Sequence, residues 1–513
     1  MAIKYVSNST YGGRPLGNDA NDGSIGSPWL TIQKGVDAAP SGDTVKINQG
    51  TYNETLHNYL NLDRAGGVAL TFEPWGVGDV VTLDTSSTGY AIRSAVFGIY
   101  IFKEIDIKTA SATWMITCDS NTDYDLTFDH CDIDTLGSTT HYLFYSNTHT
   151  SAPEGSIVFK NGCTFTNNSD SGQVFYVYDC KTFQILDSII TRTNVSGTGS
   201  LFLLNGKIGL FDVQRNTIFI PDMRGINCYN IGPGEYVERL RFKDNMITGG
   251  SLIVYMEDQD IGLIEIDGNT ITSSYDGTKF FIGRPSGAIT NYLRAAKISS
   301  NKITFTGASG LCMLLGTNCY GAQVYNNDFK STFTGDYGVV IRGRYNSIHN
   351  NRIESGNPIY IGGGQYNTIW NNTAIAISGR AFAWNKELTD LTAAIRNDIF
   401  NNIFDGSAGG EFAVYDATST GDHWDNRFDH NVLIAGSTDL ARLDGANYNT
   451  IAAMQSKWTS WSDFWPENDK NSFTGRVIRQ MGRPGVFGDR PHVGAVGPVG
   501  TQNRDRYKIL GEG

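Results

Sequence analysis

Residues 345 to 375 read YNSIHNNRIESGNPIYIGGGQYNTIWNNTAI, and the two halves superimpose at an offset of 21 residues. The overlay pairs Tyr345 with Tyr366, Asn346 with Asn367, Ile348 with Ile369, and Asn350-Asn351 with Asn371-Asn372. A unit that short cannot bury its own apolar face, so the chain is constrained to an architecture in which like units stack. The signature extends outward. Asn followed one residue later by Ile, Phe or Leu, or a close variant, recurs at Asn216, Asn245, Asn269, Asn301, Asn327, Asn351, Asn372, Asn402 and Asn431. The successive spacings are 29, 24, 32, 26, 24, 21, 30 and 29 residues.

Between these sites lie short runs of β-branched and aromatic residues bounded by Gly, Asn, Asp or Ser: QVFYVYD (173–179), SLFLLNG (200–206), LIVYMED (252–258), KFFIG (279–283), GVVIRGR (338–344), PIYIGGG (358–364) and EFAVYDA (411–417). Such runs are strands cut by turns, and helical periodicity is absent from them. Two or three short strands per stacked unit make an all-β fold, a right-handed parallel β-helix that is one single-stranded solenoid. One Asn per coil has a physical use, because Asn tolerates the left-handed backbone of a sharp bend and its side chain can bond the Asn one coil away. The 59 Gly, 13 Pro, 12% aromatic and 18% charged residues fit a large β core with many turns.

The expected organisation is an N-terminal turn and capping helix over 1–42, a β-helix of about thirteen coils over 43–453, and a Trp-rich cap with a closing strand and tail over 454–513. Open ends of a stacked sheet must be covered. In SPWLTIQKGVDAAPSGD (27–43), Ile32, Val36 and Ala39 share one side of a short helix, and in MQSKWTSWSDFWPEN (454–468), Trp458, Trp461 and Trp465 are spaced to cover the last coil.

A net charge of −12 with 40 scattered Lys and Arg argues against nucleic acid. No apolar run is long enough to insert into a membrane, and the N-terminus lacks the apolar core of a secretory signal. The expected setting is extracellular or virion-associated, with the signal removed or another export route used. The seven Cys form no CxxC pair and have no His at metal spacing. Cys118, Cys180, Cys228 and Cys312 sit in or beside apolar runs, where Cys acts as a small buried hydrophobe.

Residues 18–54, NDANDGSIGSPWLTIQKGVDAAPSGDTVKINQGTYNE, resemble the opening of the pectate-lyase-like family of right-handed parallel β-helix proteins. GDTV at Gly42–Val45, GTY with Glu54 at Gly50–Glu54, and the later GDRPHVGAVG (488–497), similar to the family's closing strand, carry the resemblance. The family includes lyases, hydrolases, epimerases, virus tailspikes and non-enzymatic adhesins. What the resemblance implies is an extended carbohydrate lying along the stacked strands and, in the tailspike version, a homotrimer attached to a virion. The acid motifs of polygalacturonases and the Lys, Arg and calcium-ligand set of one lyase subfamily are not matched.

Strand alternation assigns a groove face. With Val254 and Met256 inward, Tyr255 and Glu257 point out; with Phe280 and Ile282 inward, Phe281 points out and Arg284 follows at the turn. With Val339 and Ile341 inward, Val340 and Arg342 lie outside and Arg344 nears the next turn. Trp384, Lys386, Tyr415 and Asp416 fall at comparable places. Aromatic faces pack on sugar rings and Arg forks bind carboxylates, so this column suits a polysaccharide. Tyr255, Arg344, Trp384, Lys386, Tyr415 and Asp416 are the candidate substrate-binding residues. Glu257, Asp258, Arg284 and Arg342 are the candidate catalytic ones. In β-elimination from a uronic acid, Glu257, Asp258 and Asp260 could hold a calcium ion on the substrate carboxylate while Arg284 or Arg342 acts as base or charge stabiliser. Hydrolysis would instead need two carboxylates, such as Asp132 with Asp134 or Asp258 with Asp260. The expectation is a polysaccharide-degrading protein of tailspike type, with lyase chemistry ahead of hydrolysis. The alternative is a non-catalytic glycan-binding adhesin or structural rod, favoured if the acids and arginines lie on different faces.

Overall fold

The computed structural model describes the chain apart from residues 1, 55–58, 65–66, 86–89, 96, 110–113, 119–123, 136–141, 147–154, 169–172, 194–198, 222, 229–235, 257–260, 284–292, 295, 336, 386–395, 410–411, 417–425, 436–438, 444–445, 460–472 and 475–513. It divides into two compact units, Met1–Gln323 and Val324–Gly513.

In the first unit each coil visits three walls in turn. Tyr90–Ser94 lies in the first wall, Gly98–Lys103 in the second and Ile105–Thr109 in the third, and Trp114–Cys118 re-enters the first beside Tyr90–Ser94. All three walls pair in parallel. Ile92, Ile116 and Phe144 are register partners in the first wall, Phe102, Phe128 and Phe159 in the second, and Ile107, Ile133 and Phe165 in the third. This is a parallel β-helix. Alternation buries every second residue, as in Ala69–Pro74, where Leu70, Phe72 and Pro74 point in.

Register turns equivalent core residues into stacks. Phe72, Phe102, Phe128 and Phe159 follow one another at centroid distances of 5.1, 5.2 and 5.0 Å, tilted by 12°, 10° and 18°. Each buried Phe contributes roughly 1.5–3 kcal/mol of apolar burial, and the stacking adds to it.

The bend from the second wall to the third repeats a local device. Glu104, His130, Asp187, Arg215, Asp244 and Ser300 all have φ between 52° and 57°, a left-handed conformation that costs a non-glycine residue about 1–2 kcal/mol. The residue after the bend offsets that cost. Asn216, Asn245, Asn269 and Asn301 form a ladder in which backbone N–H and side-chain Nδ2 both donate to the Oδ1 of the next Asn, at 2.9–3.1 Å. Each Nδ2 of the first three also donates to a carbonyl of the preceding coil. The left-handed residue is thus the one before the ladder Asn, because the ladder side chain must point inward while its neighbour turns the chain.

Earlier coils fill the same column differently. Cys131 N–H donates to Cys163 Sγ at 3.4 Å, and the two thiols donate to Phe102 O and Phe128 O. Ser188 N–H then donates to Asn216 Oδ1 at 2.9 Å. All seven cysteines are buried.

The start of the first unit is capped as expected. Helix Ile32–Ala38 buries Ile32 and Val36, and Ala39 beyond it is buried too. A Cβ at Gly35 would meet Val45 at 3.1 Å, so the helix sits directly on the first coil. Thr31 caps it by accepting from Lys34 N–H, and the Glu54 carboxylate accepts from Ile32 and Gln33 N–H at 2.9 and 3.1 Å. Burial holds the Glu54 carboxyl up at about 7.

The second unit keeps the three walls but bends with two ladders. Asn327, Asn351, Asn372, Asn402 and Asn431 form one, and Asn346, Asn367, Asn397 and Asn426 form another. Those whose preceding residue is described follow a left-handed one: Asn326, Asn350, Asn371, Asn401 and His430 in the first ladder, Tyr345, Tyr366 and Arg396 in the second. The repeated sequence at 345–375 is therefore two ladder rungs on two successive coils. Helix Ile451–Thr459 follows the last described coils. Trp461 and Trp465, the Trp458 side chain and the 488–497 segment lie outside the described residues.

Candidate functional site

The first wall of the first unit carries aromatic residues at its outward positions. Parity puts them there: in Tyr90–Ser94 and Tyr142–Ser146 the first and fourth residues are half-buried while the residues between them are buried, and in Trp114–Cys118 Trp114 alone is half-buried. Register then aligns the coils. Trp114 pairs with Tyr90 and Tyr142, and Tyr145 with Thr117 and Tyr176. Tyr90 and Trp114 are 5.5 Å apart at 19°, Trp114 and Tyr145 5.4 Å at 39°, Tyr145 and Tyr176 5.1 Å at 21°, and Tyr176 and Tyr178 6.2 Å at 10°. Tyr142 packs edge-on against Tyr145 and Tyr176, and Tyr59 edge-on against Tyr90.

Ring planes in contact sit about 3.5 Å apart. Centroids more than 5 Å apart therefore mean rings slid past one another like shingles, each leaving part of one face uncovered. Neutral hydrogen-bonding groups border them: Tyr142 Oη donates to Gln173 Oε1 at 3.1 Å, and Asn205 Nδ2 donates to Tyr176 Oη at 3.4 Å.

Of the residues expected in a groove, Tyr255 lies on this wall, in register between Asn227 and Phe281. Its ring is 4.9 Å from Phe281, with the Arg224 guanidinium 4.9 Å over it. Tyr415 lies on the first wall of the second unit, in register with Ala383 and Arg442, with the Arg380 guanidinium 3.7 Å over its ring. Arg342 and Arg344 are half-buried and lead from Tyr337–Ile341 toward Ser347–His349.

Two placements need correcting. Trp384 is 1% exposed and packs edge-on against Phe382 and Phe428, at 5.0 and 5.8 Å, so no sugar can reach its face. It has the parity of Phe382 and the register of Ile361, and both face the core. Val340, expected outside, is 4% exposed. Asp416 is in register with Trp384 and Leu443. Glu257, Asp258, Asp260, Arg284 and Lys386 lie outside the described residues. Among the described residues no group of three or more His, Cys, Asp or Glu is placed to hold a metal ion, and no helix is long and apolar enough to cross a membrane.

The Asp132 and Asp134 pair belongs to the third wall, away from the aromatic stripe. Burial raises the Asp134 carboxyl above the usual carboxylate range, with Lys108 opposing the shift. Other described charges also concentrate on the second and third walls. Glu73 binds Lys46 at 2.6 Å, Glu265 binds Arg239 and Arg241 at 2.8 and 3.1 Å, and in the second unit Glu354 binds Lys330 and Arg352 at 2.8 and 2.6 Å. These partners pull the Glu73, Glu265 and Glu354 carboxyls below their ordinary value against the cost of burial.

The second unit has its own stack on the second wall. Tyr325, His349, Trp370 and Phe400 follow at 5.2, 4.4 and 6.3 Å, tilted by only 3°, 13° and 6°. Burial between the rings pushes His349 down to about 4, so it is neutral at pH 7.

No family model and no curated protein matches this chain. Solved structures similar to it include the A-module of the mannuronan C-5 epimerase AlgE6 of Azotobacter vinelandii, at 12% identity, 70% coverage of this chain and 91% of that one, and a TM-score of 0.37. XylC in complex with xylose is similar at 9% identity, 80% and 76% coverage and a TM-score of 0.32. The GH136 lacto-N-biosidase from Eubacterium ramulus is similar at 13% identity, 81% and 64% coverage and a TM-score of 0.23. The strand pairings themselves establish the parallel β-helix, the fold that the resemblance at residues 18–54 implies.

The sequence reading missed Tyr90, Trp114, Tyr142, Tyr145, Tyr176 and Tyr178. A signal existed in part, since Tyr142 and Tyr145 are three residues apart and Tyr176 and Tyr178 two, each pair in an otherwise apolar run.

Proposed function

We propose that this protein binds a polysaccharide along the first wall of its first unit. The observation that carries the reading is the shingled stripe from Tyr90 to Tyr178, whose half-open faces recur once per coil, about 4.8 Å apart. A sugar ring offers an apolar C–H face and a rim of hydroxyls. The stripe offers π faces for the first, with Gln173, Asn205 and the tyrosine hydroxyls for the second. A repeating ligand on a repeating wall adds weak contacts into a strong one.

The placement of the Glu73, Glu265 and Glu354 ion-pair clusters on the other two walls favours binding without cleavage. The outward residues of Trp114–Cys118, Tyr142–Ser146 and the start of Phe175–Leu186 are aromatic. Cleavage by elimination remains attached to Glu257, Asp258 and Arg284, and an extracellular or virion-borne setting is where such a polysaccharide would be met. Incubation with a polysaccharide panel, with and without calcium, tests both parts. The reading expects retarded migration in glycan-containing gels without new absorbance near 235 nm or new reducing ends. Absorbance growth would establish a lyase, reducing ends alone a hydrolase, and no retardation by any glycan would sink the proposal.

A further inference from the structure

We infer that the polysaccharide taken by the first unit is neutral, hydroxyl-rich and free of uronic acid along the part that contacts the stripe. This rests on the binding reading above and names its substrate class.

Among the described residues of the first wall, Arg93 precedes the stripe and Arg224 follows it. Arg93 lies 5.9 Å over the Tyr90 ring and is paired with Asp63 at 3.6 Å. Arg224 lies over Tyr255. Register places Thr117, Tyr145, Tyr176 and Leu203 on the coils between Arg93 and Asn227. Five steps separate Arg93 from Asn227, which lies on Arg224's own strand, and that is about 24 Å of wall. Over that length the described outward groups are uncharged, namely Trp114, Tyr142, Tyr145, Gln173, Tyr176, Tyr178, Leu203 and Asn205.

The charged groups at the edge of this stretch are mixed in sign, with Lys181 exposed and Lys207 half-buried around a buried carboxylate. Asp179, directly after Tyr178, is 4% exposed, and its carboxylate accepts from Lys207 N–H at 2.6 Å. The connecting segments 110–113, 119–123, 136–141, 147–154, 169–172 and 194–198 contain Asp119, Asp123, Glu154 and Asp170 in sequence, and neither Lys nor Arg. A polyuronate carries one carboxylate per sugar, so those over the rings would be desolvated, with Lys181 and Lys207 at one edge only. The net charge of −12 repels such a chain before it arrives. A neutral glycan meets neither penalty.

Affinity electrophoresis of the full chain decides this, run against galactomannan, xyloglucan and mixed-linkage glucan beside polygalacturonate and alginate, at low and at 0.5 M salt. Wild type, Tyr145→Ala, Tyr176→Phe and Arg224→Ala are compared, with thermal melts confirming that each is folded. The expected result is retardation by at least one neutral glycan at both salt concentrations, weakened about tenfold in Tyr145→Ala. Polyuronates should fail to retard any of the proteins. Retardation by a polyuronate that Arg224→Ala abolishes, with neutral glycans inert, overturns the neutral assignment and leaves the wall as the site. Neutral binding that Tyr145→Ala and Tyr176→Phe both leave intact removes the wall itself, and silence toward every glycan removes the binding reading as a whole.

Discussion

The two units bend the same kind of coil in different ways, and the difference separates stability from recognition. In the second unit two bends carry Asn ladders, and the strands between them are short. In the first unit one bend carries the ladder, while at the other the chain passes through in long strands, Phe175–Leu186 and Ser200–Gln214, with a bulge between Tyr178 and Cys180. Asp179 at that bulge has φ of 45°, and its carboxylate caps Lys207 N–H on the next coil. Buried amide ladders hold backbone in place without using an outward position. The outward rows are then available for either charge networks or rings, and the first wall of the first unit has the rings.

The largest expected effect follows from the ladders. Asn372→Ala removes an acceptor that serves both the backbone and Nδ2 of Asn351, and a donor bonded to Ile348 O and Asn402 Oδ1. Leaving buried donors unpaired costs about 1–3 kcal/mol each, so chemical denaturation should show a loss of roughly 3–5 kcal/mol. A loss under 1 kcal/mol would show that the ladder follows from the fold and does not support it. Cys163→Ala, at the equivalent place in the first unit, should cost less, about 2 kcal/mol, because a thiol is a weak donor and acceptor.

The units should also answer pH in opposite directions. Native Glu54 titrates at about 7, above its ordinary 4.5, so the native state holds more protons than the unfolded chain between those values. Its contribution is full below pH 4.5 and is lost as pH rises to about 7. Native His349 titrates at about 4, below its ordinary 6.5, so its contribution is full above pH 6.5 and is lost as pH falls to about 4. Calorimetry from pH 4 to 7 should show that Glu54→Gln removes a decline toward neutrality and that His349→Phe removes a decline toward acid. A shared direction for the two would break the contrast.

A smaller effect concerns the bends. Tyr345 and Tyr366 hold φ of 57° and 56° while their rings stack at 4.8 Å and 3°. Tyr366→Gly relieves the backbone and loses the stack, so its net change in stability should stay within about 1 kcal/mol. A larger loss would mean that the ring stack, rather than the amide ladder, secures the bend.

The repeat, the β-helix and the capping helix were legible in the sequence because each rests on local pattern: Asn at near-regular spacing, alternating apolar residues, and Ile32, Val36 and Ala39 on one side of a helix. Two features were not legible, for physical reasons. Trp384 looks like a groove aromatic until register puts it beside Ile361 in the core, and register is a property of pairing between coils. The binding stripe hides for the same reason. Tyr90, Trp114 and Tyr142 are 24 and 28 residues apart, and Tyr145 and Tyr176 are 31 apart, so connections of unequal length erase a period that the stacked strands restore. Cys131 and Cys163 escaped notice as ladder members because the chemistry of the column changes while its geometry does not.

Hydroxyl-radical footprinting with a bound glycan tests the central claim most directly, since it reads the exposure of each aromatic ring across the chain. The account predicts protection at Trp114, Tyr142, Tyr145 and Tyr176, with Trp370 and Tyr415 in the second unit unchanged. Unaltered oxidation of the first-unit stripe, with protection confined to Trp370 or Tyr415, would contradict it.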